Sequence, residues 1–413
     1  MNGMGKGNFL QTKIRIFAKF NNLAGSEFSR PNPIQSMAKI IVLGAGMVGK
    51  AIAIDLSRAH QVTAADIDQE SLAYLSDNYP IETIGINLME EDRIAELVRH
   101  FDLVVSAVPG FMGYDTLKTV ILAGKNIVDI SFMPEDFMGL NTLAAQKGVT
   151  AITDCGVAPG MPNLIVGYHN EFMEIDNFEY VVGGLPKVKV YPFYYRAPFS
   201  PVDVIEEYTR PARYVEKGKS MIKPAMSEPE LLFFEGVGTL EAFCTDGLRS
   251  LLTNMDHIPN MKEKTLRYPG HIQLIQALKT AGFFEKEPIT IHNTPVRPID
   301  FTSGVLIRDW KLGPDEPEFT VMRIELSGRQ DGVDKAVVYE LYDEYDQETR
   351  LSSMARTTGF TATANAELVL QNKFAGKGVF PLELVGMDGE CFQFVMDYLR
   401  RRKVNYRCHE RTL

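Results

Sequence analysis

Residues 40–43, Ile-Ile-Val-Leu, form an unbroken apolar run of the length of a buried strand. Apolar positions at helical spacing follow over 51–56, and a second apolar run over 62–65 ends in Asp66. The alternation then continues. Asp68 is placed to cap a helix over 69–78, 81–86 reads as strand, and 90–100 reads as an amphipathic helix. Strands are expected over 103–107, 126–130 and 149–152, with helices over 113–122 and 136–147 between them. Strand–helix alternation at this spacing predicts an α/β fold with a doubly wound parallel sheet, of the Rossmann kind, over residues 37–160.

From about residue 180 the pattern changes. β-type segments at 180–182, 231–234, 320–327 and 335–342 are separated by helices in no simple βαβ order, which predicts a second, α+β domain over 161–345. Ser200-Pro201 reads as a cap and first-turn proline, and 245–249 and His271 read as helix starts. Small residues around 352–359 lead into a helical run to about 370, so 346–386 is expected to return and pack on the first domain. Residues 387–413 read as a helix, with Cys391, Val395, Tyr398 and Leu399 on one face, and then a basic tail whose Arg400–Lys403 run is solvated.

Composition narrows the function. A net charge of −10 over 413 residues argues against a nucleic-acid partner, because phosphate contacts need a basic surface. No apolar run approaches the roughly 20 residues of a membrane span, so no membrane partner is expected. The four cysteines make neither a zinc pattern nor a disulfide framework, which suits a reducing cytosol, and no metal site is expected. Residues 1–36 carry five basic residues against Glu27 alone and read as a disordered or mis-assigned start, or else as a targeting leader.

The chemistry begins at the first turn. Gly44, Gly46 and Gly49 follow the first strand as GxGxxG, with Met47 and Val48 opening the helix. Gly44 suits a tight turn, Gly46 lets backbone amides approach a pyrophosphate, and Gly49 lets helix and strand pack closely. Asp66, about 20 residues on, sits where a carboxylate binds the adenosine ribose and repels a 2′-phosphate, so the expected cofactor is NAD. In a doubly wound sheet the ligand lies beyond the carboxyl ends of the strands. That points to Asn87 for adenine, to Ala107, Val108 and Pro109 for the nicotinamide ribose, and to Ser131 and Gly156. Turn chemistry alone accounts for each taken singly. Cys155 has no flanking base, and hydride chemistry needs no thiol.

Several strings in this chain resemble a known family. They are GAGMVGKAIAIDL, DISFMPED, CGVAPGMPN, VGGLP, SPVDVIEEYTRPAR, DGLRSLL, TLRYPGH and SSMARTTGFTA, and together they span residues 37–386. The resemblance is to the saccharopine dehydrogenase-like group and, within it, to lysine 6-dehydrogenases. It implies NAD-linked oxidation of the ε-amine of L-lysine to allysine by a cytoplasmic homodimer or higher homo-oligomer. Relatives in the group make or cleave saccharopine or act on carboxy-polyamines, and a non-catalytic NAD-sensing protein is a third reading. The amine must lose a proton before its lone pair can drive hydride out, so a base is required. Asp154, His271 and Asp129 are the candidates. Arg249 or Arg267 would hold the substrate carboxylate through the guanidinium fork, and Tyr194 would wall the pocket.

Overall fold

The computed structural model describes residues 37–413 except 200 and 314; the basic leader and the Ser200 cap therefore lie outside the described residues. β1 (Lys39–Leu43), α1 (Met47–Leu56), β2 (Gln61–Asp66), α2 (Gln69–Asn78), β3 (Ile81–Gly85), α3 (Glu91–Val98), β4 (Leu103–Ser106), α4 (Gly110–Leu122), β5 (Ile127–Asp129), α5 (Asn141–Gln146) and β6 (Thr150–Thr153) alternate without interruption. α6 (Met161–Asn170) leads into β7 (Glu174–Pro186), α7 (Pro201–Thr209), β8 (Ala212–Glu216), β9 (Lys219–Lys223), β10 (Ser227–Phe234) and β11 (Gly238–Cys244). These are followed by α8 (Leu251–Asn254), β12 (Asn260–Arg267), α9 (His271–Thr280), β13 (Ile289–Ile291), β14 (Thr294–Val296), α10 (Pro298–Trp310), β15 (Glu318–Gln330) and β16 (Val333–Glu344). The chain then returns through α11 (Ser353–Leu370), β17 (Gly378–Pro381), α12 (Leu382–Gly386) and α13 (Gly389–Arg401) to β18 (Tyr406–Thr412).

The first sheet runs β17-β6-β5-β4-β1-β2-β3, parallel throughout. β1 is buried on both faces, and its side chains alternate between two cores. Ile40 and Val42 join the layer of α1 and α11, while Ile41 and Leu43 join the layer of α3 and α4. Strand order reverses direction at β1 and β4, so the crevice of a doubly wound sheet opens at the carboxyl ends of those two strands. The second sheet runs β10-β11-β12-β7-β15-β16-β18, with β8 and β9 attached at β12; only β12 and β7 pair in parallel. The doubly wound parallel sheet and the separate mixed sheet are both as the hydrophobic pattern predicts.

The return is held by buried polar bonds. Asp55 on α1, 2% exposed, accepts hydrogen bonds from the Thr363 hydroxyl at 2.7 Å, the Tyr398 hydroxyl at 2.8 Å and Arg402 Nε at 2.8 Å. His60 and Glu367 meet at 2.9 Å on the same side. Two expectations change here. Within the basic run only Arg400, Arg401 and Lys403 are exposed; Arg402 is committed to Asp55. The tail beyond it is β18, paired antiparallel with β16, and its polar side chains stay exposed because only its backbone needs a partner. Among the described residues no helix is long and apolar enough to cross a membrane.

Candidate active site

A cavity of about 600 Å³ lies where the carboxyl ends of the first sheet face β12, β7 and α7. Gly44, Gly46, Met47, Val48, Gly49, Asp66, Asn87, Ala107, Val108, Pro109, Ser131 and Gly156 all line it. Gly44 turns the chain at φ +100°. A Cβ on Gly49 would fall 2.0 Å from the Gly44 carbonyl oxygen, whereas a Cβ on Gly46 would meet no protein atom. Gly46 is the N-cap of α1 and supplies no side-chain cap, so the first amides of the helix face the cavity unpaired. Asp66 closes the turn, accepting from the Ala45 amide at 2.5 Å and the Asp68 amide at 2.9 Å. Open space at Gly46, uncapped amides and a carboxylate at the end of β2 fit the pyrophosphate and ribose of a nicotinamide dinucleotide. Replacing Gly49 by Ala is expected to weaken dinucleotide binding about ten- to hundred-fold in a fluorescence titration, since an overpacked contact costs about 1–3 kcal/mol. Unchanged affinity would show that helix and strand do not need to meet there.

The opposite wall comes from the second sheet. β12 presents alternate residues to the cavity, and Glu263, Thr265 and Arg267 line it together. Arg267, 2% exposed, donates to Glu207 Oε2 at 2.5 Å, to the Tyr208 hydroxyl at 3.0 Å and to the Leu266 carbonyl, with the Tyr195 ring 4.3 Å away. The second hydrogen of each terminal nitrogen stays available to a carboxylate in the cavity. Arg210 also lines the cavity, over the Phe132 ring and with Glu206 at 3.4 Å. Glu263 accepts from the Thr245 hydroxyl at 2.6 Å and the Gly247 amide at 3.1 Å. Both bonds fall on Oε2, which leaves Oε1 for a ligand. Burial pushes its carboxyl up to about 8, against the lowering effect of Thr245 and with repulsion from Glu207 and Asp246 added. Glu263 thus has the proton affinity of a base or acid working near neutral pH.

The other residues singled out from the sequence lie elsewhere. Asp154, 1% exposed, and Arg249 form a buried ion pair at 2.7 Å, and neither lines the cavity. Arg249 also donates to the Met133 carbonyl at 2.6 Å. Asp154 is therefore no base toward the substrate, and Arg249 no receptor for its carboxylate. His271 is fully buried between the Tyr208 hydroxyl at 3.0 Å and the Phe193 carbonyl at 2.8 Å, and burial takes its pKa down to about 3. With both nitrogens engaged and its charged form disfavoured, it does not serve as the base. Tyr194 packs against Tyr191 at φ +53° and misses the cavity. Asp129 is also fully buried and approaches the cavity only through Ser131. Burial raises the Cys155 thiol well above its usual range, so it stays inert. The segment 245–249 is a loop rather than a helix start, because its groups bond outward: Thr245 and the Gly247 amide to Glu263, and Asp246 to Arg213.

Glu263 is the wall residue that the sequence alone could have marked. Period-two spacing back from Arg267 along β12 places it on the same face. Nothing local marks Arg210, Glu206 and Glu207 as converging on it.

Comparison with known proteins agrees with this architecture. The saccharopine dehydrogenase C-terminal domain family matches residues 156–404, and the saccharopine dehydrogenase NADP binding domain family matches residues 40–152. The mitochondrial alpha-aminoadipic semialdehyde synthase of Rattus norvegicus is 24% identical over 266 residues, covering 60% of this chain and 29% of that protein. The chain thus spans less than a third of that relative. Carboxyaminopropylagmatine dehydrogenase of Synechocystis sp. is 21% identical over 384 residues, covering 85% of this chain and 94% of that protein. The apo structure of saccharopine dehydrogenase (L-Glu forming) from Saccharomyces cerevisiae has the same fold, with a TM-score of 0.73 at 18% identity over 91% of this chain and all of that one. With two adjoining domain families matched across most of its length, and a dinucleotide turn facing an acid-rich wall, the chain belongs to the saccharopine dehydrogenase family.

Proposed function

We propose that the protein oxidises an amine-bearing carbon of an amino acid with a nicotinamide dinucleotide, and that its substrate is L-lysine, attacked at the ε-amine to give allysine and ammonia. One observation carries this reading: the second-sheet end of the cavity sets Glu206, Glu207 and Glu263 against Arg210 and Arg267, while Asp246 is held by Arg213. An excess of carboxylates suits a substrate ammonium, and the two guanidinium groups suit a single α-carboxylate. Saccharopine brings three carboxylates to the same wall and is the poorer electrostatic match.

The bound dinucleotide would supply the hydride acceptor, held by the glycine turn, Asp66 and the loops carrying Pro109 and Gly156. Arg267 and Arg210 orient the substrate, which raises the rate by positioning. Glu263, through Oε1, takes the proton from the ammonium so that the nitrogen lone pair is free. The base form of Glu263 is the active one in this direction, so kcat/KM is expected to rise with pH and level off above about 8. Imine reduction, the chemistry of a saccharopine- or carboxy-polyamine-forming enzyme, needs the acid form instead and would fall through the same range. The full-length likeness to a carboxyaminopropylagmatine dehydrogenase favours that second reading. Dinucleotide reduction measured with lysine, ornithine, saccharopine and diaminopimelate tests the choice; turnover with saccharopine and none with lysine rejects the first reading.

NAD is the proposed cofactor, although the matched domain family is described by NADP. The cations lining the cavity, Arg210 and Arg267, belong to the substrate end, and Asp66 would meet a 2′-phosphate with its own negative charge. NAD is expected to bind at least about tenfold more tightly than NADP, and Asp66→Ser to narrow the difference. Equal affinities in a calorimetric titration would remove this role for Asp66.

A further inference from the structure

Behind the first-sheet wall lies a group of buried polar residues that the amine chemistry above leaves unused. β4, β5 and β6 end side by side in Ser106, Asp129 and Thr153, and Asp154 follows; all four are at most 1% exposed. The Ser106 and Thr153 hydroxyls, Oδ1 of Asp129, Oδ1 of Asp154 and Nη2 of Arg249 have no hydrogen-bond partner among the described residues. The Ser106 hydroxyl lies near enough to polarise the Asp129 carboxylate, without a well-aligned hydrogen bond. Asp154 has its cation in Arg249; among the described residues Asp129 has none. Instead Asp129 Oδ2 accepts from the Ser131 amide at 3.1 Å and the Ser131 hydroxyl at 2.7 Å. Ser131 itself stands on the cavity wall with Pro109 and Gly156. Room for its hydroxyl depends on Gly113 of α4, where a Cβ would fall 2.1 Å from the Ser131 oxygen. A single hydroxyl therefore separates a buried carboxyl group from the cavity.

We propose that Asp129, reached through the Ser131 hydroxyl, receives and returns the proton of the hydrolytic half-reaction; this rests on the amine-oxidation reading. As a water oxygen bonds to the iminium carbon, the C=N π pair moves to nitrogen. One water proton passes to Ser131 Oγ while the Ser131 hydroxyl proton passes to Asp129 Oδ2, giving a neutral carbinolamine and a protonated Asp129. The same relay run backward protonates nitrogen; the C–N bond then breaks with its electron pair going to nitrogen, the oxygen lone pair closes the carbonyl, and the hydroxyl proton passes to the departing ammonia, which leaves as ammonium. Burial pushes the Asp129 carboxyl up to about 7, with the charge of Asp154 adding to the shift and Ser131 and Ser106 opposing it, so it can both take and give a proton. Cys155, whose amide donates to the Asp129 carbonyl, is a further titratable neighbour and stays neutral.

Asp129→Asn retains the volume and an acceptor for Ser131 but cannot hold the proton. Infrared pH-difference spectra of the cofactor-free protein are expected to show a protonated-carboxyl band lost near pH 7; Asp129→Asn removes it and Ser131→Ala shifts it. In turnover, Asp129→Asn is expected to lose one acid-limb ionisation from the kcat–pH profile and to lower the plateau by about tenfold or more, with dinucleotide affinity unchanged. A folded Asp129→Asn protein with the wild-type profile and the wild-type band overturns the relay. Wild-type protein that oxidises no amine overturns the functional reading instead. In that case the infrared band still reports whether Asp129 holds a proton behind Ser131, and its absence overturns the store.

Discussion

Glu263→Gln is expected to lower kcat by about 10²- to 10⁴-fold while leaving dinucleotide affinity unchanged, the range lost when a positioned general base is removed. Glutamine keeps the side-chain shape, and its carbonyl can still accept from Thr245 and Gly247, so the wall stays in place. Only the capacity to take a proton is gone. A second variant separates basicity from shape. The Thr245 bond opposes the upward shift that burial imposes on Glu263, so Thr245→Val should raise its pKa further. The rise of kcat/KM with pH should then move to higher pH, with a plateau near that of the wild type. A Glu263→Gln enzyme within about threefold of wild type would end the assignment, because a base worth so little is not carrying the proton.

The half of the candidate site built on the glycine turn is legible because it is local. Strand, glycine turn, helix and acid occupy residues 39–66, and each step follows from backbone sterics and period. The substrate half is not local. Residues from 206–210, 245–249 and 262–268 meet on one wall, yet choosing among them requires knowing which charges are already neutralised. Arg249 and Arg267 look alike along the chain. One is closed off by Asp154, 95 residues away, while the other shares Glu207 and still faces the cavity. His271 looks available until Tyr208 and the Phe193 carbonyl occupy both its nitrogens. Likewise β18 reads as a tail, since its strand character comes from β16 rather than from its own side chains.

Arg249→Met is expected to destabilise the fold by about 3–5 kcal/mol at neutral pH, the cost of leaving a buried charge without its partner. Asp154 and Arg249 are 1% and 5% exposed in their side chains and join the end of β6 to the loop before α8. Both residues also sit at positive φ, +52° and +47°, so their backbones are held by the surroundings rather than by preference. Burial already raises the Asp154 carboxyl and the guanidinium opposes it; without Arg249 the raised state goes unopposed. A carboxyl whose folded pKa is raised costs nothing while protonated in both states. The loss should therefore be small at acid pH, grow as pH rises above about 4 and level off beyond the folded pKa. The double variant Asp154→Asn with Arg249→Met removes the charge as well as its partner and should recover most of the stability in urea unfolding. If Arg249→Met alone stays within about 1 kcal/mol of wild type, the two groups are not a desolvated pair, and the exclusion of Asp154 and Arg249 from substrate chemistry loses its physical ground.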